Sequence, residues 1–116
     1  MKKIFLAGEW VPGEGQPGTS YFPADGSVNA QFSTASPAQV DEAVRKAHAA
    51  WQQPAWRNSL PTQRARVLWK VADLIEAQVD ELAALQTRDN GKPLAETRGL
   101  VLSAAQTARY MASVLD

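Results

Sequence analysis

The sequence predicts an α+β chain in which N-terminal β-hairpins or ribbons are followed by three helices. Residues 1–35 contain five of the seven glycines, whereas the sequence from Ala38 onward is rich in alanine, leucine and charge. Apolar residues alternate with polar ones in the first part and recur every three or four positions in the second, which are the periods of strands and helices. We therefore assign residues 1–35 to β ribbons and loops and residues 36–116 to helices.

The first ribbon is predicted from two short apolar runs, residues 4–6 and 10–11, on either side of Ala7-Gly8-Glu9. Glycine readily takes a positive φ, so Gly8 is expected at the first central position of a type II′ turn. Residues 12–18 alternate glycine and proline with polar residues, which predicts an exposed loop.

The second ribbon is predicted around residues 23–26, Pro-Ala-Asp-Gly, a sequence typical of turns. Tyr21-Phe22 precede this turn. Val28, Ala30 and Phe32 follow it and alternate with polar residues, as in a half-buried strand. Two ribbons in series are expected, and neither is large enough to be stable alone.

The first helix is predicted to begin at Ser36, a good N-cap residue, with Pro37 in the first helical position and Pro54 beyond its end. The second begins near Pro61, and its length predicts a kink near Ala77-Gln78. Its apolar stripe consists of Ala65, Leu68, Ala72, Ile75, Val79 and Leu82, widened by Val67, Val71, Leu74 and Leu85.

The third helix is predicted from Leu94 to the end of the chain. Alanine dominates its inner face, which implies a close approach to a neighbouring helix. That face consists of Ala95, Val101, Ala104, Ala105, Ala108, Met111, Ala112 and Leu115.

Composition excludes several classes of function. Twelve lysine and arginine residues balance twelve aspartate and glutamate residues, whereas a nucleic-acid partner would demand a basic excess. The N-terminal apolar run has four residues, against about 7–15 in a secretory signal, and no segment approaches the ~20 apolar residues of a membrane span. We expect a cytoplasmic protein with no nucleic-acid and no membrane partner.

Catalytic motifs are missing from the sequence as well. It has no cysteine, no P-loop and no G-x-S-x-G. Residues 13–18 spell G-x-G-x-x-G, but they lie in the predicted exposed loop and do not open a helix, as a dinucleotide-binding motif would. The one histidine, His48, shares a helix face with Val44 and Trp51, so a structural or solvated role is favoured. Arg64 and Arg66 could bind an anion, but an ion-pairing surface is the favoured interpretation. No catalytic and no cofactor-binding residue is predicted in this chain.

The segment Asp89-Asn90-Gly91-Lys92-Pro93 is predicted to end one helix and start the next. Gly91 can adopt the left-handed conformation of a helix C-terminus, and Pro93 has the φ that suits a helix start. Asp89 is unexpected there, because the macrodipole disfavours an acid in a last turn by about 0.3–1 kcal/mol. A positive group should balance it: Arg88, Lys92 or a bound cation.

Five segments in order closely resemble the N-terminal portion of the NAD(P)-dependent aldehyde dehydrogenases. The order and spacing match across nearly all 116 residues. Ala7 stands where the family usually has asparagine, and Phe22 stands where it has asparagine before the proline. The segments are residues 5–11, 22–26, 60–68, 72–76 and, above all, 89–93.

The resemblance implies a protein several times longer that oxidises an aldehyde to a carboxylic acid. The family uses a cysteine nucleophile, hydride transfer to NAD or NADP, and a glutamate base, all placed by the resemblance downstream of this region. Residues 1–116 would be an incomplete part of the cofactor-binding domain, inactive alone and with no cofactor bound. The complete protein would be a homo-oligomer, a dimer or a tetramer, with an aldehyde substrate.

The resemblance also implies a metal site. Some family members bind a monovalent cation with the aspartate of this motif and backbone carbonyls near the first proline turn. Here these would be Asp89 and the carbonyls of Ser20 and Tyr21, and oxygen ligands suit a hard cation. A carboxylate capped by Lys92 or by backbone N–H groups is the alternative. At least one family ligand comes from later in the chain.

A second interpretation of the sequence is a small helical protein-interaction module without catalytic activity. The two interpretations differ in the surfaces they predict. A fragment should leave apolar faces of the second and third predicted helices exposed, and it should self-associate. An independent module should be a cooperative monomer or a defined dimer.

Overall fold

The computed structural model describes residues 1–115 and confirms the α+β class, with short hairpins preceding helices. The chain divides into two compact units, Met1–Asn58 and Ser59–Asp116, which we describe separately. None of the described helices is long and apolar enough to cross a membrane.

Two antiparallel hairpins begin the first unit. Strand β1 (Ile4–Leu6) pairs with β2 (Glu9–Val11), and β3 (Pro17–Tyr21) pairs with β4 (Val28–Ser33). The predicted loop over residues 12–18 is therefore too long, because its last two residues belong to β3.

The glycine in β3 allows the hairpin to pack. A Cβ atom on Gly18 would lie 2.6 Å from the ring of Phe32, its cross-strand partner, so the phenyl ring occupies the space that a side chain would need. Glycine weakens a strand because it has no side chain to pack, and here the ring of Phe32 fills that space over Gly18.

The turn of the first hairpin is type I′, and the predicted type II′ turn is wrong. Leu6 pairs with Glu9, so Ala7 and Gly8 are the two central residues and Gly8 is second. Both have positive φ, 52° for Ala7 and 90° for Gly8. This mirror-image turn matches the strand twist, but Ala7 has a Cβ in a left-handed conformation.

Helix α1 (Pro37–Gln52) begins at the predicted N-cap, Ser36, and ends before Pro54 as predicted. The Ser36 hydroxyl accepts from the Gln39 backbone N–H at 3.2 Å, and the Gln39 side chain accepts from the Ser36 N–H at 3.1 Å. This reciprocal pair is a capping box. A four-residue helix, α2 (Pro54–Arg57), follows in the connector and was not predicted.

Gln39 also connects the glycine-rich loop to α1. Its side-chain oxygen accepts from the backbone N–H of Glu14 at 2.9 Å, and its side-chain nitrogen donates to the carbonyl oxygen of Pro12 at 3.0 Å. The residue is buried, and its amide group satisfies backbone groups that would otherwise lack partners. The N-terminus of α1 therefore determines the path of residues 12–14.

Three helices form the second unit: α3 (Pro61–Ala77), α4 (Val79–Asn90) and α5 (Leu94–Leu115). The second predicted helix is thus two helices. They separate at Gln78, where the kink was predicted and where φ and ψ of −119° and 21° interrupt the helix. Leu60 has no side-chain acceptor, so only its N–H is capped at the start of α3, by Gln63 Oε1 at 2.8 Å.

Helix α5 packs against both α3 and α4. Only part of each predicted stripe is buried between the helices. Residues predicted to widen the stripe of the second predicted helix are exposed: Val67, Val71, Leu74 and Leu85. The prediction for the inner face of α5 is wrong for Ala95, Ala104, Met111 and Leu115, which are exposed as well.

The most deeply buried apolar side chains at the interfaces are alanines, of which Ala83 was not predicted. Small side chains let helix backbones approach closely while leaving little cavity volume. These buried alanines are Ala65, Ala72, Ala83, Ala105 and Ala112.

One guanidinium group links α5 to α3 at the surface. Arg109 donates to both carboxylate oxygens of Glu76 and, at 3.0 Å, to Asp73, and its guanidinium carbon lies 5.8 Å from the ring centroid of Trp69. The hydrogen bonds from Arg109 lower the pKa of Glu76, and partial desolvation opposes that shift. A bidentate arginine–carboxylate pair also fixes geometry.

Replacing Ala7 by asparagine should stabilise the first hairpin. Asparagine tolerates the left-handed conformation that costs alanine energy, so the free energy of unfolding should rise by about 1 kcal/mol. Urea denaturation measures the change. Ala24→Asn is the matched control, because Ala24 lies in the second turn without a positive φ. An equal gain in both variants would contradict the explanation.

Replacing Glu76 by glutamine should flatten the loss of stability in acid. The hydrogen bonds from Arg109 hold the folded-state pKa of Glu76 below the usual value for a glutamate carboxyl. The stabilisation from this pair is therefore fully present above the unfolded pKa and disappears as the pH falls through the folded pKa. Denaturant titrations from neutral pH to below pH 4.5 should show a shallower decline for Glu76→Gln. Glu81→Gln, at an exposed position of α4, should decline like the wild type.

Candidate functional site

The candidate site is the turn between α4 and α5, residues 89–93. Gly91 has φ and ψ of 79° and 5°, and its N–H donates to the Thr87 carbonyl at 2.8 Å. This is the left-handed helix stop predicted from the sequence. The Asn90 side-chain oxygen accepts from the Lys92 N–H at 3.0 Å, which gives the reversal a second hydrogen bond.

Pro93 starts the next helix. Its carbonyl oxygen accepts from the N–H groups of Glu96 and Thr97 at 3.0 and 3.1 Å, and α5 runs from Leu94. Because proline has no N–H to leave unpaired, it suits a position just before the first helical hydrogen bonds.

Two threonine hydroxyls join the helices behind the turn. Thr97 Oγ1 donates to the Leu94 carbonyl at 3.1 Å, and Thr87 Oγ1 lies 2.8 Å from Thr97 Oγ1. A hydroxyl has one proton, so Thr87 is the donor of the shared bond. Thr97 is fully buried, with 0% of its surface exposed, and these bonds satisfy its hydroxyl.

Sequence reasoning missed Thr97, although a signal was present. Thr97 lies four residues before Val101 and eight before Ala105, on the face predicted to be buried. A polar residue on such a face needs a hydrogen-bonding partner nearby. The threonine ten positions earlier, across a predicted turn, was the available candidate.

Asp89 is an exposed residue in the last turn of α4, one residue before the helix ends. Arg88 is the basic residue of the same turn. Lys92, one of the groups suggested to balance Asp89, has its ammonium nitrogen 4.0 Å from a Glu96 carboxylate oxygen on α5.

Ser20 and Tyr21 close β3 in the first unit, where the pairing with β4 shifts by one residue. Ser20 pairs with Ala30 and Tyr21 with Val28, so Asn29 is the extra residue, and its side-chain nitrogen donates to Ser20 Oγ at 3.3 Å. A bulge re-aims the backbone locally. The three predicted cation ligands thus come from both units, two from β3 and Asp89 from α4.

Other candidate side chains have ordinary surroundings. His48 is exposed on α1 with its ring 5.6 Å from that of Trp51. Within the described part of the chain, no three histidine, cysteine, aspartate or glutamate side chains are grouped as a metal site. Arg64 is half-buried, and its Nε finds no hydrogen-bond acceptor among residues 1–115.

Large apolar residues are also exposed on the outer sides of α3, α4 and α5 in the second unit. We call this surface the outer apolar face. On α3 its members repeat at intervals of four and three, which is one helical stripe. Its members are 40–65% exposed: Val67, Val71, Leu74, Leu85, Tyr110, Met111 and Val114.

Comparison with known proteins agrees with this geometry. The family model described as "Aldehyde dehydrogenase family" matches residues 10–116. The chain belongs to the aldehyde dehydrogenase family. It corresponds to the N-terminal portion of that family, as the five segments predicted.

Relatives within the aldehyde dehydrogenase family cover nearly all of this chain. DhaS of Bacillus subtilis strain 168 is 40% identical over 113 residues, which is 96% of this chain and 23% of DhaS. Phenylacetaldehyde dehydrogenase of Pseudomonas fluorescens is 38% identical over 112 residues, which is 95% of this chain and 22% of the relative. The chain spans less than a quarter of the length of these relatives.

A solved aldehyde dehydrogenase structure has the same fold over this region. The NAD-dependent aldehyde dehydrogenase from Sinorhizobium meliloti superposes with a TM-score of 0.90 at 31% identity, covering 97% of this chain and 23% of that one. The hairpins and helices described above are therefore an aldehyde dehydrogenase substructure.

Proposed function

We propose that this chain is the N-terminal part of the cofactor-binding domain of an aldehyde dehydrogenase, and that it is incomplete as a domain. The complete protein oxidises an aldehyde to a carboxylic acid, with NAD or NADP as the hydride acceptor. One observation carries the proposal: the family match runs over residues 10–116, whereas the chain covers 22–23% of its relatives.

In this proposal the residues of this chain have a structural role and no catalytic role. The sequence contains no cysteine, so a thiolate nucleophile must come from another part of the protein. Residues 13–18 spell G-x-G-x-x-G, but they form the loop after β2 and the start of β3 and do not open a helix. A dinucleotide-binding motif places the pyrophosphate at a helix N-terminus, so these residues do not fit a dinucleotide. What they provide is an outer layer of hairpins and helices.

The outer apolar face supports the same proposal. Its seven members are large apolar side chains that remain 40–65% exposed, and the stripe on α3 has the spacing of a helix that packs on two sides. The buried Nε of Arg64 likewise has no acceptor among the described residues. Both features suit a segment covered by further polypeptide. We place the complete protein in the cytoplasm as a homo-oligomer, a dimer or a tetramer.

The first test of this function is an activity comparison. The 116-residue chain mixed with an aldehyde and NAD or NADP should form no reduced cofactor, because it has no thiol. A protein expressed from the whole reading frame that encodes these residues should form it only when aldehyde is added. Absorbance of the reduced nicotinamide is the measurement, and replacement of the catalytic cysteine by alanine in the longer protein is the control.

Two results would reject the proposal: cofactor reduction by the 116-residue chain, or its absence from the longer protein with every aldehyde tested. The same samples also distinguish the fragment from the alternative interpretation, an independent protein-interaction module. Concentration-dependent association of the 116-residue chain, with binding of a hydrophobic dye, supports an uncovered apolar face. A discrete monomer or dimer that unfolds cooperatively supports the module.

The cation site remains part of the proposal. We infer that Asp89 and the carbonyl oxygens of Ser20 and Tyr21 ligate a monovalent cation in the complete protein. Oxygen ligands suit such an ion, an acid at a helix C-terminus gains from a nearby positive charge, and the pairing of β3 with β4 is irregular between Ser20 and Tyr21.

Replacing Asp89 by asparagine should weaken this site. The potassium concentration for half-maximal activity or thermal stabilisation of the complete protein should rise by at least about tenfold, the scale on which changes around a metal site act. Potassium chloride is titrated against tetramethylammonium chloride at constant ionic strength. The control is Asp80→Asn, which removes another carboxylate from α4, the one that pairs with Arg98 of α5. Equal potassium dependence in the wild type and Asp89→Asn would exclude the site.

A further inference from the structure

The turn at residues 90–91 contains a bond with distinctive covalent chemistry. The sequence has three asparagines, Asn29, Asn58 and Asn90, which precede alanine, serine and glycine respectively. An asparagine side chain can be attacked by the backbone nitrogen of the next residue, and a side chain on that residue hinders the attack. Glycine offers no such hindrance, so Asn90 is the most reactive of the three in an unfolded chain.

The reaction needs no cofactor. The Gly91 nitrogen forms a bond to Cγ of Asn90, the bond between Cγ and Nδ2 breaks, and the nitrogen's proton leaves with the amide as ammonia. Water then opens the resulting succinimide ring at either carbonyl. One opening produces aspartate, and the other produces isoaspartate, in which the backbone runs through the side-chain carbons.

The folded turn opposes each requirement of this attack. The Gly91 nitrogen must lose its proton, but its N–H donates to the Thr87 carbonyl at 2.8 Å. The Asn90 amide must rotate toward that nitrogen, but its oxygen accepts from the Lys92 N–H at 3.0 Å. Asn90 is also the last residue of α4, so its backbone must leave the helical conformation before the ring can close.

Both residues are nevertheless on the surface, where water has access. Asn90 and Gly91 are exposed, so hydrogen bonding and backbone conformation protect them, and burial does not. Local opening of the turn removes all three restraints together. We propose that Asn90–Gly91 is a deamidation site that the folded α4–α5 turn protects and that opening or unfolding of the turn makes reactive.

The products would keep the turn from closing again properly. Aspartate at position 90 adds a carboxylate next to Asp89 at the C-terminus of α4, where the helix macrodipole disfavours negative charge. Isoaspartate inserts an extra carbon into the backbone, which moves the Gly91 N–H away from the Thr87 carbonyl. Deamidation would therefore mark protein that has spent time with this turn open.

The test compares the purified protein in native buffer and in urea at the same pH and temperature. Peptide mapping by mass spectrometry follows the conversion of each asparagine, and chromatography separates aspartate from isoaspartate peptides. In urea, Asn90 should convert faster than Asn58 and Asn29. In native buffer, Asn90 should convert at least about tenfold more slowly than in urea, as expected for a turn that opens only part of the time.

A matched pair of variants tests the role of the turn. Thr97→Val removes the hydroxyl that bonds Thr87 and Leu94, so it should speed conversion of Asn90 in native buffer without changing the rate in urea. Thr107→Val makes the same chemical change at an exposed position of α5 and should alter neither rate. Equal Asn90 rates in buffer and urea would overturn the proposal, and so would an Asn90 rate in urea no higher than that of Asn58.

Discussion

The chain reversal at Gly91 is the constraint on which the second unit depends. A positive φ of 79° at this residue ends α4 and lets α5 run back along α4 and α3. Glycine adopts this conformation without steric cost, whereas other residues are strained in it. The Thr87–Thr97 hydroxyl pair joins the two helices directly behind the reversal. Every buried contact of α5 follows from the direction that this turn imposes.

The alanines at the helix interfaces are the consequence of that geometry. Because Ala72, Ala83, Ala105 and Ala112 are completely buried, the closest helix contacts are made by small side chains, and several larger apolar residues lie on the outer apolar face. A unit built this way is closely packed inside but retains apolar surface outside. That distribution is what membership of a longer aldehyde dehydrogenase would require of a segment covered by further chain.

The first unit depends on a different kind of interaction. Its strands are short and have no large core to hold them. The hydrogen bonds of one side chain, Gln39, fix the loop and the start of the helix instead. Gln39 caps α1 and holds the loop that connects the two hairpins. The glycines of that loop suit this arrangement, since a Cβ on Gly13 would meet the backbone of Ser33.

The sequence by itself determined the order of strands and helices, the cap at Ser36, the break near Gln78, the stop at Gly91 and the family. These depend on the local chemistry of neighbouring residues or on motifs read in order. Only the tertiary structure decided the roles of Gln39 and Thr97, whose partners lie 25 and 10 residues away. It also decided the turn at Ala7, since the pairing of Leu6 with Glu9 determines which residues are central. Local patterns specify elements, but a buried polar group is explained only by the partner that folding brings to it.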